Sequence, residues 1–174
     1  YPLAAALAVL DACAELAPGA PLPRMKWPND ILTPEGEKIA GILVRVDSRR
    51  LLAGVGVNLV GEIEREREGL EGAQTLASVD SLYGDALAGF DERREFGAIL
   101  SQSIARTFSV VDSGGVGFRN LQTRYAVNCL TIGSRVVVAT PGGAKYSARA
   151  LGVDAAGRLL VENAERGRHV LDAA

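Results

Sequence analysis

Three side chains that can do chemistry are concentrated in one short stretch of this chain. Lys26 supplies a cation, Asn29 an amide and Asp30 a carboxylate, and they flank Trp27 and Pro28. Proline fixes its own φ angle, and Asn and Asp are common turn residues. Asn29 and Asp30 therefore either hold a turn or face a charged ligand together with the lysine. The sequence leaves both alternatives open.

The pattern around this stretch predicts one helix before it and a β-meander around and after it. Apolar residues recur at helical spacing from residue 3 to residue 14, which predicts an amphipathic helix over 2–17. Runs rich in Val, Ile and Leu, separated by Pro- and Gly-containing turns, predict antiparallel strands. The expected strands are 24–27, 31–32, 38–47 and 51–59, with turns at 33–36 and 48–50.

Helices and a second set of strands are predicted further along the chain. A charged, exposed loop at 62–72 leads to a short helix with Thr75 as N-cap and a longer helix capped by Asp91. Gly114 ends the longer helix, and a last helix of two turns follows. Beyond residue 130 short strands predict a small barrel-like module, which we expect at 132–138, 145–153, 159–162 and 169–171.

Composition limits the class of protein. The 174 residues are 48% hydrophobic and 23% charged with a net charge of -2, as in an ordinary globular protein without a broad nucleic-acid-binding face. The chain contains no apolar run long enough for a membrane span, and we expect a cytoplasmic protein. Cys13 and Cys129 lack metal-ligand spacing and are expected to be free, buried thiols. The single histidine, His169, is expected at the surface.

Three segments, in this order, resemble the successive signature segments of biotin protein ligases: Lys26–Ile31, Lys38–Leu43 and Gly54–Leu59. The terminal module resembles the Src-homology-3-like domain that closes bacterial members. The resemblance implies an α+β fold, in which a mixed or antiparallel sheet packs with helices and is followed by a small β-barrel. It implies a catalytic domain over 1–128, truncated at its N-terminus, and a C-terminal domain over 129–174.

The resemblance also implies the reaction. Biotin and ATP, with Mg²⁺, form biotinyl adenylate, and the activated carboxyl then acylates a lysine of a biotin carboxyl carrier protein. No tightly bound prosthetic group, nucleic acid or membrane is expected, and a homodimer with sheets side by side is compatible with the family. Two anions repel strongly where water is excluded, so this chemistry requires a fixed cation.

Site residues follow from the resemblance, position by position. Lys26 is expected to be the catalytic cation, which contacts the biotin carboxyl and the adenylate linkage. The other expected substrate-binding residues are Trp27, Asn29, Asp30, Gly41 and Ile42, and Asn58 and Gly56 are expected to bind the nucleotide. Asp30 is the one candidate metal ligand. Lys38 lies either near the phosphates or solvated on a hairpin, and the solvated position is favoured because surface lysine is the usual case.

Complete biotin ligases carry a glycine- and arginine-rich loop before the helix with which this chain begins. Residues 1–25 contain nothing similar, and the chain starts at Tyr1 without a methionine. We therefore expect a portion of a longer ligase that is inactive by itself, because catalysis needs a complete binding shell. A lipoate ligase is the nearest enzyme alternative. A non-catalytic ligase-like binding module is an alternative of another class.

Overall fold

The structure is a computed structural model that describes residues 1–46, 50–61, 75–140 and 142–172. Its elements are α1 (Pro2–Leu16), β1 (Arg24–Lys26), β2 (Asp30–Leu32), β3 (Lys38–Val46), β4 (Leu51–Val57), α2 (Val79–Tyr83), α3 (Phe90–Ser113), α4 (Gly115–Asn128), β5 (Arg135–Ala139), β6 (Lys145–Val153), β7 (Leu159–Asn163) and β8 (Gly167–Leu171). None of the helices in these ranges is long and apolar enough to cross a membrane.

The first sheet is an antiparallel meander in the order β1-β2-β3-β4, as the sequence predicts. The turn between β2 and β3 is closed by the Thr33 amide, which donates to the carbonyl of Glu37 at 2.7 Å. Gly36 in that turn has a φ of 97°, a conformation that glycine adopts without steric cost. The predicted turn at residues 48 and 49 and the predicted loop at 62–72 lie outside the described residues.

Helices cover one face of this sheet, and the core lies between them. The buried part of α1 is rich in alanine, so its backbone can approach the sheet closely. Cross-strand neighbours Met25, Ile31 and Ala40 point into this core, together with Ile42 and the helical residue Phe96. Burial of this apolar surface is the main term that stabilises the domain. The opposite face of the sheet carries Leu43, which is 73% exposed.

Two helix starts differ from the sequence-based prediction. Thr75 does not cap α2, because the segment from Thr75 to Ala77 runs beside Lys38 and exchanges backbone hydrogen bonds with it at 2.7 and 2.9 Å. The helix begins only at Val79, with Ser78 as N-cap. Asp91 lies inside the first turn of α3, where its carboxylate interacts favourably with the helix dipole. The N-cap is Gly89. The last helix, α4, has 14 residues and is longer than the predicted two turns.

The second sheet, β5-β6-β7-β8, is also an antiparallel meander. Its strands form the C-terminal module, which comprises Arg135–Leu171. Its first strand begins at Arg135, because Thr131 to Ser134 form a hydrogen-bonded turn. His169 is half-buried, and its Nε2 lies 2.7 Å from the Tyr146 hydroxyl. The predicted turn that includes residue 141 is only partly described, and the boundary at residue 128 stays a prediction.

Both cysteines are free and buried, as the sequence predicts. Cys13 lies on α1 with none of its surface exposed. Burial raises the pKa of the Cys13 thiol from its ordinary 9.0 to about 12, although a hydrogen bond with Tyr83 acts in the opposite direction. Only the thiolate attacks thiol reagents. At pH 8 a thiol with this pKa is ionised in roughly one molecule in ten thousand, so Cys13 is expected to be inert in the folded protein.

We predict that dithiobis-nitrobenzoate at pH 8 leaves both thiols of the folded protein unmodified over the time in which the denatured protein reacts completely. The released chromophore measures this directly, and the same protein in guanidinium chloride is the control. Rapid modification of two thiols in the folded protein would contradict the placement of Cys13 and Cys129 in the core.

Candidate active site

A row of cross-strand neighbours crosses the uncovered face of the first sheet. Lys26 on β1 lies opposite Asp30 on β2, Asp30 lies opposite Gly41 on β3, and Gly41 lies opposite Gly56 on β4. Directly opposite residues of antiparallel strands project on the same face. The register therefore brings four of the predicted site residues together, and we call this set the cross-strand row.

Lys38 joins this row from the start of β3. Its Nζ lies 2.5 Å from Oδ1 of Asp30, and the two side chains are 32% and 17% exposed. Its stem crosses Gly41, because a Cβ atom built on that glycine would lie 3.4 Å from both Cε and Nζ of the lysine. Lys38 is thus held in an ion pair while part of its side chain stays exposed. Lys26 is an exposed residue at the end of its strand.

Asn29 fastens the turn between β1 and β2 to β3. Its Nδ2 donates to the carbonyl of Ile42 at 2.9 Å, and its own carbonyl accepts the Ile42 amide at 2.9 Å. Both backbone polar groups of Ile42 are used in this way, and its side chain is buried in the core on the helix-covered face. Of the two alternatives for Asn29, the structure shows the turn-holding contact. The predicted substrate contact of Ile42 stays a prediction.

Asn58, the predicted adenine-binding residue, follows β4 and ties that strand to neighbouring backbone. Its Nδ2 donates to the carbonyl of Ala77 at 3.0 Å and to that of Lys38 at 3.4 Å. These contacts fix the segment from which Lys38 extends. Its role in nucleotide binding stays a prediction, as does that of Gly56.

Trp27 lies between the two hydrophobic clusters and packs against both of them. Its indole Nε1 donates to the carbonyl of Gly157 in the C-terminal module at 3.0 Å, and its backbone amide donates to Oγ1 of Thr131 at 3.0 Å. The peptide bond between Trp27 and Pro28 is cis. Trp27 thus connects the sheet to the C-terminal module, and its substrate contact stays a prediction.

The described residues do not fit a protein-held divalent cation at this position. Mg²⁺ prefers several oxygen ligands, whereas one carboxylate oxygen of Asp30 is engaged by Lys38. Within the described ranges no group of three or more His, Cys, Asp or Glu residues comes together. We therefore assign no metal ion to these residues, and a metal-ligand role of Asp30 stays a prediction.

Chemically, the cross-strand row and Lys38 combine two lysine cations, one carboxylate that holds Lys38, and two glycines where a ligand can approach the main chain. Such an arrangement suits an anionic ligand laid flat on the sheet. The assignment of the catalytic cation to Lys26 stays a prediction, as does a place for Lys38 near the phosphates.

Comparisons with known proteins show the fold and the family of the chain. Residues 2–61 match the biotin/lipoate A/B protein ligase family, and residues 131–173 match the biotin protein ligase C terminal domain. Among solved structures, biotin protein ligase from Aquifex aeolicus superimposes with a TM-score of 0.77 at 20% identity, over 98% of this chain and 69% of that one. The same protein in complex with biotin and ATP gives 0.74 at 21% identity. The fold is therefore that of a biotin protein ligase with its Src-homology-3-like C-terminal domain.

Two curated relatives show which kind of ligase the chain is similar to. The chain is 34% identical over 165 residues to the biotin–[acetyl-CoA-carboxylase] ligase of Mycobacterium tuberculosis, and covers 55% of its length. It is 30% identical over 176 residues to the enzyme of that name from Paracoccus denitrificans, and covers 69% of its length. The chain belongs to the biotin–[acetyl-CoA-carboxylase] ligase family.

Proposed function

We propose that the full-length protein catalyses ATP-dependent biotinylation of a carrier protein. A carboxylate oxygen of biotin attacks the α-phosphorus of ATP, the bond to the β-phosphate breaks, and pyrophosphate leaves. The amine of a carrier lysine then attacks the acyl carbon, loses a proton, and displaces AMP. Membership of the family supports this proposal, and the observation that carries it is the Lys38–Asp30 pair beside Gly41.

Lys38 is the residue we propose as the fixed cation. Biotin carboxylate and the α-phosphate are both anions, so their approach is unfavourable unless a positive charge lies between them. Asp30 holds the Lys38 ammonium at 2.5 Å and restricts its position. A donor that is oriented before the reaction stabilises developing charge without further reorganisation. Lysine is suited to this role because its ammonium is a compact charge with three donors.

The remaining predicted residues take supporting roles in this proposal. Lys26 lies at the other side of Asp30 in the cross-strand row and adds positive potential for the triphosphate. Gly41 and Gly56 leave the sheet surface free for close approach of biotin or of the acyl phosphate. Mg²⁺ enters as part of the nucleotide substrate, and the requirement for ATP places the reaction in the cytoplasm. The acceptor is a biotin carboxyl carrier protein.

Pyrophosphate exchange tests the first half-reaction in the full-length protein. Labelled pyrophosphate is expected to enter ATP only when biotin is present, and lipoate is expected not to replace biotin. Exchange that depends on lipoate and not on biotin would indicate a lipoate ligase, which shares the matched family. Absence of exchange with either acid, together with binding of a carrier domain, would support the non-catalytic alternative and overturn the proposal.

A further inference from the structure

Trp27 connects the turn beside the candidate site to the C-terminal module. The acceptor of its indole N–H, the Gly157 carbonyl, lies in the turn between β6 and β7. That turn is itself fixed, because Oδ1 of Asp154 accepts the backbone amides of Ala156 and Arg158 at 2.9 and 3.0 Å. The indole therefore docks on a rigid part of the module.

The same turn is fastened to β3 at its other end. Asn29 makes two hydrogen bonds to the backbone of Ile42, and the next residue, Asp30, holds Lys38. Only two residues thus separate Trp27 from Asp30, whose carboxylate orients the proposed cation. Any displacement of the C-terminal module that moves Trp27 is transmitted through this short, hydrogen-bonded turn to Asp30.

We infer that Trp27 is a positioning residue, which uses the seated C-terminal module to hold Asp30, and through it Lys38, in place. The inference rests on the proposed function of Lys38. It accounts for a tryptophan whose ring packs against both hydrophobic clusters. The ring lies on the helix-covered side of the sheet, whereas the candidate site opens on the other face.

A second hydrogen bond between the two parts of the chain provides a matched control. Nε2 of Gln122 on α4 donates to the carbonyl of Asp154 at 3.2 Å. It spans the same junction and reaches the same turn of the module, but it does not pass through the segment between Trp27 and Asp30. Gln122→Leu therefore removes one hydrogen bond of the junction without touching the proposed connection.

The experiment compares Trp27→Phe, Thr131→Val and Gln122→Leu in the full-length protein. Trp27→Phe keeps an aromatic ring and deletes the indole N–H, and Thr131→Val removes the acceptor of the Trp27 amide. Loss of one such hydrogen bond corresponds to about a tenfold effect. We expect both variants to lower kcat for biotin-dependent adenylation about tenfold with KM unchanged, and to raise hydrogen exchange of the Ile42 amide by a similar factor. Gln122→Leu is expected to change neither.

Hydrogen exchange at Ile42 separates this inference from the proposed function, because it requires no activity. Equal effects of Trp27→Phe and Gln122→Leu, or unchanged exchange at Ile42 in Trp27→Phe, would overturn the inference even in an active ligase. If Trp27→Phe fails to fold, Thr131→Val decides by the same two readouts. Trp27 is the one tryptophan of the chain, so its fluorescence checks that the indole stays buried in Gln122→Leu.

Discussion

Replacing Lys38 by glutamine in the full-length protein is expected to lower the rate of biotin-dependent adenylation by about 10²–10³-fold, the usual cost of deleting one preorganised donor at a developing charge. The physical reason is the ion pair with Asp30, which fixes the ammonium on the uncovered face of the sheet. Glutamine keeps most of the length of the side chain and can still donate, but it lacks the charge. Pyrophosphate exchange at saturating biotin and ATP measures the effect.

Two further lysine variants serve as controls for this result. Lys26→Ala tests the assignment made from the sequence; we expect a smaller loss, about tenfold, because this residue is exposed and screened by solvent. Lys145→Gln, at the start of β6 in the C-terminal module, is expected to leave exchange unchanged. A larger loss of exchange in Lys26→Ala than in Lys38→Gln would identify Lys26 as the main cation and contradict the role proposed for Lys38.

Introducing valine at Gly41 is expected to lower adenylation by about 10²-fold, a loss typical of a reacting group displaced by about 1 Å. A Cβ at this position lies 3.4 Å from Cε and Nζ of Lys38, which is ordinary van der Waals contact. The two methyl groups of valine extend beyond that contact and require the lysine stem to move. Gly41→Ala is accordingly expected to retain most of the activity.

Gly54→Val is the matched control, because it adds the same side chain to the same sheet. The nearest atom to a Cβ at Gly54 is the backbone oxygen of Leu43 at 3.8 Å, and Gly54 lies outside the cross-strand row. Melting temperatures of the three variants show whether the sheet itself is disturbed. Full activity of Gly41→Val with an unchanged melting temperature would mean that Lys38 does not need its observed path across the glycine.

The sequence was sufficient for most of the helices and strands, whereas the site assignments made from it stay predictions. Period-two patterns and Pro–Gly turns predicted the meander, because each strand pairs with its neighbour in the chain and no long-range choice is needed. The cross-strand row follows from that meander once the register is known. The α+β architecture and the free cysteines were also predicted from local sequence patterns, and the structure confirms both.

What sequence reasoning could not supply were contacts between residues distant in the chain. Thr75 reads as a helix cap, but tertiary pairing of its segment with Lys38 outweighs that local preference. The hydrogen bond from Trp27 to Gly157 joins residues 130 positions apart, and nothing in the neighbouring sequence indicates it. The path of the Lys38 side chain over Gly41 is likewise a contact that strand patterns do not encode.

We propose that biotinyl adenylate forms on the uncovered face of the first sheet, against Gly41, Gly56 and the Lys38–Asp30 pair. The most direct test is an NMR titration of the labelled full-length protein with a non-hydrolysable analogue of biotinyl adenylate. We expect saturable chemical-shift changes of the Gly41 and Gly56 amides that are lost in Lys38→Gln. The amide of Gly152 in the C-terminal module is expected to be unaffected. Saturable binding that leaves both glycines unshifted and survives in Lys38→Gln would contradict this proposal.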